Sequence, residues 1–224
     1  MPEPALSIRD LVFKYRAAEL FELRLASLDL ARGEQVLLAG GSGTGKSTLL
    51  QLIAGLMDPV GGSVQIAGRD IHALHGASRD RFRGTHVGMI FQTFNLLQGF
   101  TALENVLAAL MFSDLASSQH RERAESLLRS LDMQRMHARV EELSVGQQQR
   151  VAVARAVACK PSLVLADEPT ASLDPENAGA AMDLIQSTCR ANGAALLCTS
   201  HDPAMRPKFS RVEALSELIA GGAR

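Results

Sequence analysis

A glycine-rich loop at residues 40–48, Gly-Gly-Ser-Gly-Thr-Gly-Lys-Ser-Thr, constrains this chain more than any other stretch. It follows the apolar run 36–39 and leads into the apolar stretch 49–54, so the pattern predicts a strand, a loop and then a helix. Its spacing matches G-x-x-x-x-G-K-[ST], the pattern of a phosphate-binding loop. The loop therefore predicts an α/β fold built around a nucleotide-binding strand–loop–helix unit.

The residue types in this loop suit the phosphate groups of a nucleotide. Gly41, Gly43 and Gly45 have no Cβ, so the backbone is expected to turn its N–H groups inward at these positions without obstruction. Those donors and the positive end of the following helix form a cradle for phosphate oxygens. Lys46 is expected to reach the β- and γ-phosphates, and the Ser47 hydroxyl is expected to ligate Mg²⁺. The predicted binding residues are Gly40, Gly41, Ser42, Gly43, Thr44, Gly45, Lys46, Ser47 and Thr48.

Composition excludes several kinds of protein. The chain has 224 residues, of which 46% are hydrophobic, so it can bury a core. Its 23 Lys and Arg residues nearly balance its 24 Asp and Glu residues, so no net charge favours nucleic acid or an anionic membrane. Three widely spaced cysteines, Cys159, Cys189 and Cys198, fit small core residues in a reducing cytosol.

No segment has the roughly 18 uninterrupted apolar residues of a membrane span. The N-terminus, Met1-Pro2-Glu3-Pro4, lacks the basic start and apolar centre of a secretion signal. The sequence therefore predicts a soluble, intracellular protein that meets a membrane only through a partner.

Hydrophobic periodicity predicts small antiparallel strands around the loop, a helical block, and then alternating strands and helices. The predicted strands cover 6–15, 21–30, 36–39, 63–68, 87–91, 162–166, 194–199 and 209–213. The predicted helices run from the loop to about Leu56, over 102–111, 119–131, 145–159 and 175–191, with a basic helical turn at 78–83 and a terminal helix.

This order of elements predicts one α/β domain over residues 1–224. Strands that alternate with helices indicate a mostly parallel core sheet, with the ligand at the carboxyl ends of its strands. Residues 93–140 contain no convincing strand and are predicted to form a helical subdomain. It would be inserted between 1–92 and 141–224, which form the core together with a small antiparallel β part.

Polar residues follow three separate apolar strands. Asp167 and Glu168 follow a strand whose continuous apolar run indicates burial on both faces. Asp167 could hold Mg²⁺, and Glu168 could polarise the water that attacks the γ-phosphate. His201 and Gln92 end two further strands. Taken singly, residues of this kind more often belong to a strand-ending turn or a solvated loop than to a site. Together with the phosphate-binding loop they predict a catalytic edge.

The stretch Leu143-Ser144-Val145-Gly146-Gln147-Gln148-Gln149-Arg150 adds a second kind of site. Ser144 is a predicted helix N-cap, and the amide donors after it could bind an anion. This stretch resembles L-S-G-G-Q, the signature sequence of the ATP-binding-cassette ATPases. The departure is Val145, where that family usually has glycine; Ser144 and Gly146 are the positions expected to face a phosphate.

The resemblance extends over nearly the whole chain and implies P-loop NTPase architecture. Residues 40–48 resemble the family's Walker A, and residues 163–168 resemble Walker B with the catalytic glutamate. Residues 172–174 resemble the D-loop. Implied catalytic residues are Glu168, His201, Lys46 and Gln92; implied Mg²⁺ contacts are Ser47, Gln92 and Asp167; implied ATP contacts outside the loop are Tyr15, Ser144, Gly146, Gln147 and Asp174.

Tyr15 resembles the family's aromatic residue that stacks on adenine. Phe13 is an alternative, and Tyr15 could instead be a core residue.

The resemblance also implies partners. Two copies of the chain would sandwich two ATP molecules, each held by Walker A of one copy and the signature of the other. Gln92 and residues 93–140 would transmit closure to an integral-membrane permease on the cytoplasmic side of the membrane. Residues 88–92 and 100–106 resemble the subgroup of lipoprotein-release and macrolide-export ATPases.

Three other functions stay open at this point. One is an importer of polar amino acids, and another is an ATPase that signals through a membrane partner in cell division without moving a solute. The third is a soluble ATPase acting on ribosomes or DNA; it is disfavoured because such proteins generally carry two cassettes or a long coiled-coil insertion. No nucleic-acid partner is predicted.

Overall fold

The computed structural model describes residues 3–15 and 22–220, and two sheets organise them. The first is antiparallel and has the order β2-β1-β4-β5. Its strands are β1 (Leu6–Lys14), β2 (Glu22–Leu30), β4 (Gly61–Ile66) and β5 (Arg69–Asp70). The predicted strands 6–15, 21–30 and 63–68 are confirmed within it, although Phe21 lies outside the described residues.

The second sheet has five strands in the order β6-β7-β8-β3-β9, and every neighbouring pair is parallel. Its strands are β3 (Gln35–Ala39), β6 (Val87–Ile90), β7 (Leu163–Asp167), β8 (Ala195–Ser200) and β9 (Arg211–Ala214). The predicted α/β fold with a parallel core sheet and a smaller antiparallel sheet is therefore confirmed. Because the strands are parallel, all their carboxyl ends meet at one edge.

Both faces of the parallel sheet are buried, since alternate residues of its strands belong to two different cores. On β7, Leu163 and Leu165 pack with the inner face of the antiparallel sheet, whereas Val164 and Ala166 pack with the helices on the other side. This burial explains the continuous apolar runs seen in the sequence.

Seven helices lie between or after these strands in the described residues. They are α1 (Lys46–Ile53), α2 (Gly76–His86), α3 (Ala102–Leu110), α4 (Ser117–Ser130), α5 (Val145–Val157), α6 (Pro175–Ala191) and α7 (Leu215–Ala220). Two short 3₁₀ turns lie at Val140–Glu142 and Pro203–Lys208. Each predicted helix has a counterpart, and the basic turn predicted at 78–83 is wrong in extent because it belongs to an eleven-residue helix.

The predicted end of the first helix at Leu56 is wrong. The helix ends at Ile53 because Gly55 adopts a left-handed φ of +66°, and the Leu56 N–H donates to the Gln51 carbonyl at 2.9 Å. This bond and the Gly55 N–H bond to Leu52 form the common glycine-terminated helix end.

The helical block places its apolar residues in a shared core. Leu103 and Val106 of α3 and Leu128 of α4 join the cluster that also contains Val153 of α5 and Met182 of α6. Whether residues 93–140 act as a separate subdomain stays a prediction.

The cysteines are free thiols, and two of them lie in the core. Cys189 and Cys198 are fully buried, whereas Cys159 is half-buried and donates to the Ala109 carbonyl at 3.2 Å. Burial raises the pKa of Cys159 to about 11 and that of Cys189 to about 12. These thiols are protonated at neutral pH, as expected for packing residues.

No helix among residues 3–15 and 22–220 combines the length and apolarity needed to cross a bilayer.

Candidate nucleotide-binding site

The phosphate-binding loop connects β3 to α1, as its pattern predicts. Gly43 and Gly45 have left-handed φ angles of +77° and +99°, which a side chain would strain. Gly41 is different: its φ is not left-handed, and an added Cβ would make only an ordinary contact with Thr44. The conformation of the chain therefore does not require glycine at 41, and the expectation that a Cβ there would obstruct phosphate stays a prediction.

Lys46 begins α1 and folds back over the loop. Its Nζ donates to the carbonyls of Gly40 at 2.7 Å and Gly41 at 2.9 Å, and it lies 3.3 Å from Glu168 Oε1. The Lys46 side chain is only 6% exposed and that of Glu168 13%. No acidic residue lies in the first turn of α1, so this helix end is positive.

The strand-end residues lie side by side because β6, β7, β8 and β3 are consecutive neighbours in the sheet. A cavity of about 420 Å³ opens at this edge. It is lined by Tyr15, Ser42, Gly43, Thr44, Gly45, Lys46, Ser47, Thr48, Gln92, Glu168 and His201. Most of the residues predicted for the phosphate-binding loop and for the catalytic edge therefore line one cavity.

Asp167 is the last residue of β7, next to Glu168, and does not line this cavity. Its Oδ1 accepts a hydrogen bond from the Thr199 hydroxyl at 2.8 Å. Ser47, by contrast, is exposed within the cavity.

Glu168 sits at the centre of the polar contacts. Its φ of +46° is left-handed, a rare conformation for a residue other than glycine, asparagine or aspartate. Its Oε2 accepts bonds from the His201 backbone N–H at 3.2 Å and from His201 Nδ1 at 2.9 Å. Because an ionised carboxylate only accepts hydrogen bonds, this geometry places a proton on His201 Nδ1.

Tyr15 lines the mouth of the cavity and is part-exposed. Its hydroxyl lies 2.9 Å from the Thr48 hydroxyl, and its ring meets Phe13 edge to face at 4.8 Å. Phe13 is buried, so the two aromatic residues have different environments: Phe13 belongs to the core and Tyr15 to the cavity.

The signature residues lie elsewhere. Ser144 is the N-cap of α5, accepts from the Gln147 N–H at 3.3 Å and is matched by Gln147 Oε1, which accepts the Ser144 N–H at 3.1 Å. This is a capping box, so the predicted N-cap is confirmed. Val145 and Gly146 line a second cavity of about 380 Å³ together with Asp174. No lining residue is shared with the first cavity.

Asp174 is the N-cap of α6. Its carboxylate accepts from the Asn177 side chain at 2.8 Å and the Asn177 N–H at 3.1 Å. Those hydrogen bonds hold the pKa of Asp174 below its usual value.

Two residues near the site were missed by sequence reasoning. Arg155 of α5 donates to the Phe94 carbonyl at 2.7 Å and the Asn95 carbonyl at 2.6 Å, and burial lowers its pKa. It thereby fastens the loop after Gln92 to the helix that starts at Ser144. The Thr199 hydroxyl donates to the Asp167 carboxylate and accepts the backbone N–H of Glu168 at the end of β7. An arginine or threonine inside an otherwise apolar run was the available signal in each case.

Comparisons with known proteins identify the family of this chain. A family model described as ABC transporter matches residues 23–171. An uncharacterized ABC transporter ATP-binding protein of Mycobacterium bovis is 42% identical over 210 residues, which cover 92% of this chain. This chain spans only 63% of the length of that protein.

Two further matches cover most of this chain and most of the matched protein. The lipoprotein-releasing system ATP-binding protein LolD 2 of Caulobacter vibrioides is 40% identical over 220 residues, covering 97% of this chain and 96% of that protein. Among solved structures, the dimeric post-hydrolysis state of the ATP-binding cassette MJ0796 bound to ADP and Pi has a TM-score of 0.77 and 32% identity, with 92% of each chain covered. The chain therefore belongs to the ABC transporter family, as an ATP-binding cassette with the P-loop NTPase fold.

Proposed function

We propose that this chain binds and hydrolyses ATP as the ATPase subunit of an ABC transporter, and that two copies close around two ATP molecules to drive a membrane permease. One observation carries the proposal: the phosphate-binding loop, Gln92, Glu168 and His201 share one cavity, while Gly146 and Asp174 line another. A chain that holds the two halves of a site apart completes the site with a second copy.

The first cavity would form the donor half of the composite site, which is the half that holds ATP within one chain. The backbone N–H groups of the loop and the positive end of α1 would bind phosphate oxygens, and Lys46 Nζ would move from the Gly40 and Gly41 carbonyls to the β- and γ-phosphates. The exposed ring of Tyr15 at the mouth supports stacking on adenine.

The oxygen donors near the γ-phosphate position fit Mg²⁺. Ser47 and Gln92 line the cavity, and Asp167 ends β7 next to the lining residue Glu168. Hydroxyl, amide and carboxylate oxygens are ligands that Mg²⁺ prefers. When bound, the ion would neutralise charge that develops on the phosphates.

Glu168 is the proposed general base. It would take the proton of the attacking water, since its Oε1 side faces Lys46 in the cavity and its Oε2 is held by His201. His201, whose side chain is half-exposed, would donate to the γ-phosphate through Nε2 in the form that carries a proton on both ring nitrogens.

The surface around the second cavity would form the acceptor half, which contacts the ATP of the other copy. Gly146 and Asp174 line this cavity, whereas Ser144 and Gln147 cap the same helix end without lining it. Gly146 is the informative residue. It lies in the first turn of α5, its φ is not left-handed, and an added Cβ would meet nothing within 4 Å. Neither the conformation nor the packing of this chain requires glycine there. The requirement would come from a group that approaches from outside, which supports closure of a second copy onto this surface.

A Gly146→Leu variant tests the composite site. We expect the free energy of unfolding to rise by up to about 1 kcal/mol, because leucine is a better helix former than glycine. We expect ATP hydrolysis to fall at least about ten-fold, because a side chain there would keep the second copy from the phosphate. Steady-state hydrolysis and thermal unfolding measure the two effects.

The matched control is Gly179→Ala in α6, where an added Cβ makes only ordinary contacts with Lys208. It should gain stability and keep its hydrolysis rate. Full activity of Gly146→Leu would contradict the composite site.

A groove beside Gln92 supports a membrane partner. It has a volume of about 340 Å³, and its lining includes Phe91, Met89, Phe112, Arg83 and Arg155 but no acidic residue. We assign it to an apolar cytoplasmic segment of the permease, because most of its lining is apolar. Its two arginines already have partners: Arg83 pairs with Asp80, and Arg155 is engaged by the loop after Gln92. Movement of that loop would then reach the permease directly.

A Phe112→Asp variant tests this docking site. We expect it to bind ATP normally but to leave the membrane fraction of cells that contain the permease, because a charge in the groove opposes an apolar segment. The control is Met111→Asp, since Met111 is 79% exposed but does not line the groove. Equal membrane association of the two variants would refute the assignment.

The lipoprotein-release type is the finer part of the proposal. It is supported by the LolD relatives, including one of Paramagnetospirillum magneticum that is 41% identical over 207 residues. The subunit would then act on the cytoplasmic side of the membrane, without a nucleic-acid partner. Stimulation of hydrolysis by a polar amino acid, and not by a lipoprotein, in reconstituted complexes would reject this type.

A further inference from the structure

Thr199 is an unusual residue at its position. It lies on β8, is 0% exposed, and follows the apolar residues 195–198. In the parallel register it is paired with Asp167 of β7. A buried hydroxyl is unfavourable unless it is hydrogen-bonded, so its partners indicate why it is there.

The Thr199 hydroxyl contacts both carboxylate residues at the end of β7. It donates to Asp167 Oδ1 at 2.8 Å and accepts the backbone N–H of Glu168 at 3.0 Å. The Ala166 carbonyl lies farther away, at 3.5 Å. Since a hydroxyl has one proton, the nearer carboxylate is the better acceptor for it, and an oxygen lone pair remains for Glu168.

Glu168 depends on this bond because of its backbone. Strand pairing of β7 ends at Asp167, and the left-handed φ of Glu168 turns its peptide away from the sheet. Its N–H therefore bonds to a side chain instead of to a neighbouring strand. An unusual backbone conformation persists when surrounding contacts hold it, and Thr199 provides such a contact.

We propose that Thr199 is a positioning residue that holds Asp167 for the metal ion and Glu168 for the attacking water through one hydroxyl. The inference rests on the roles proposed above for those two carboxylates. The bond to Oδ1 fixes the rotation of the Asp167 carboxylate, and the bond to the Glu168 N–H fixes the start of the Glu168 side chain. Residues that orient a metal ligand commonly affect metal affinity by about ten-fold to a hundred-fold.

The alternative is that Thr199 serves only as a β-branched residue in a buried strand. Valine would then serve at least as well, because it has the same shape and no hydroxyl to bury. The two explanations predict opposite results for Thr199→Val.

The experiment compares Thr199→Val with Thr199→Ser, which keeps the hydroxyl. Binding of a fluorescent ATP analogue is titrated with and without Mg²⁺, and kcat and the Mg²⁺ concentration for half-maximal hydrolysis are measured. For Thr199→Val we expect metal-free binding within about two-fold of wild type, a half-maximal Mg²⁺ concentration raised about ten-fold and kcat lowered about ten-fold. Thr199→Ser should keep both the half-maximal Mg²⁺ concentration and kcat close to their wild-type values.

Thr188→Val is the matched control, because Thr188 is also buried but its hydroxyl donates only to the Leu184 carbonyl of its own helix. It should match wild type in all three measurements. If Thr199→Val does not fold, Thr199→Cys replaces it, since a thiol is a weak hydrogen-bond donor of similar size.

The proposal is overturned if Thr199→Val keeps the Mg²⁺ dependence and kcat of wild type, or if Thr199→Ser loses as much as Thr199→Val. A wild-type chain that hydrolyses no ATP would reject the proposed function instead. The Mg²⁺ dependence of nucleotide binding would still test Thr199 in that case.

Discussion

Replacing Glu168 by glutamine is expected to leave a protein that binds ATP and dimerises around it but hydrolyses it at least a hundred-fold more slowly. Glutamine keeps the shape of the side chain and an oxygen that can accept from His201, now at 2.9 Å from Glu168 Oε2. It cannot take a proton from water at neutral pH, and a general base of this kind commonly contributes about a hundred-fold to ten-thousand-fold.

Two measurements check this expectation. Single-turnover hydrolysis reports the chemical step, and size-exclusion chromatography with ATP and Mg²⁺ reports the dimer. The control is Glu176→Gln, which removes an exposed carboxylate in the first turn of α6 that does not line the nucleotide cavity. Hydrolysis at the wild-type rate in Glu168→Gln would remove Glu168 from the role of base.

Replacing Lys46 by alanine or methionine is expected to abolish measurable ATP binding, weakening affinity at least about a hundred-fold. The ammonium group is the one side-chain cation of the loop, and bonds from a charged donor to phosphate are among the strong polar contacts in proteins. Methionine keeps most of the packing of the side chain, so its comparison with alanine separates charge from volume. Equilibrium titration with a fluorescent nucleotide provides the measurement.

The same variants are expected to lose stability, because Glu168 would be left without the cation 3.3 Å from its Oε1. Breaking a buried pair by removing one partner costs roughly 3 kcal/mol, and the His201 contacts should keep the loss near or below that value. The double variant Lys46→Met/Glu168→Gln should recover stability but not binding. Unchanged nucleotide affinity in Lys46→Met would contradict the assignment of the loop.

The donor side of the site could be predicted because its information is local. The spacing of Gly40, Gly45 and Lys46 specifies a phosphate loop, and Gln92 and His201 each end an apolar run. Parallel pairing then brings those ends together without further information. The position of Ser144 as an N-cap was predictable for the same reason, since a capping box lies within four residues.

The remaining contacts depend on residues that are far apart in the sequence. Nothing near Thr199 indicates that its register on β8 places it beside Asp167, 32 residues away. The full extent of α2 was missed because Phe82 is its one buried residue, which gives too weak a periodic pattern. Local patterns also cannot tell that Gln148 turns back from α5 to donate to the Val140 and Leu143 carbonyls.

The bonds from Arg155 to the carbonyls of Phe94 and Asn95 have a thermodynamic consequence for the proposed dimer. They join the loop that begins at Gln92 in the donor cavity to the helix that begins at the acceptor surface. If ATP bound in the donor cavity of a chain shifts that loop, part of the free energy of ATP binding changes the affinity of the acceptor surface for the second copy. Linkage is reciprocal, so the second copy must tighten ATP by the same factor. The two nucleotides would then bind with positive cooperativity, although they touch no common residue within one chain.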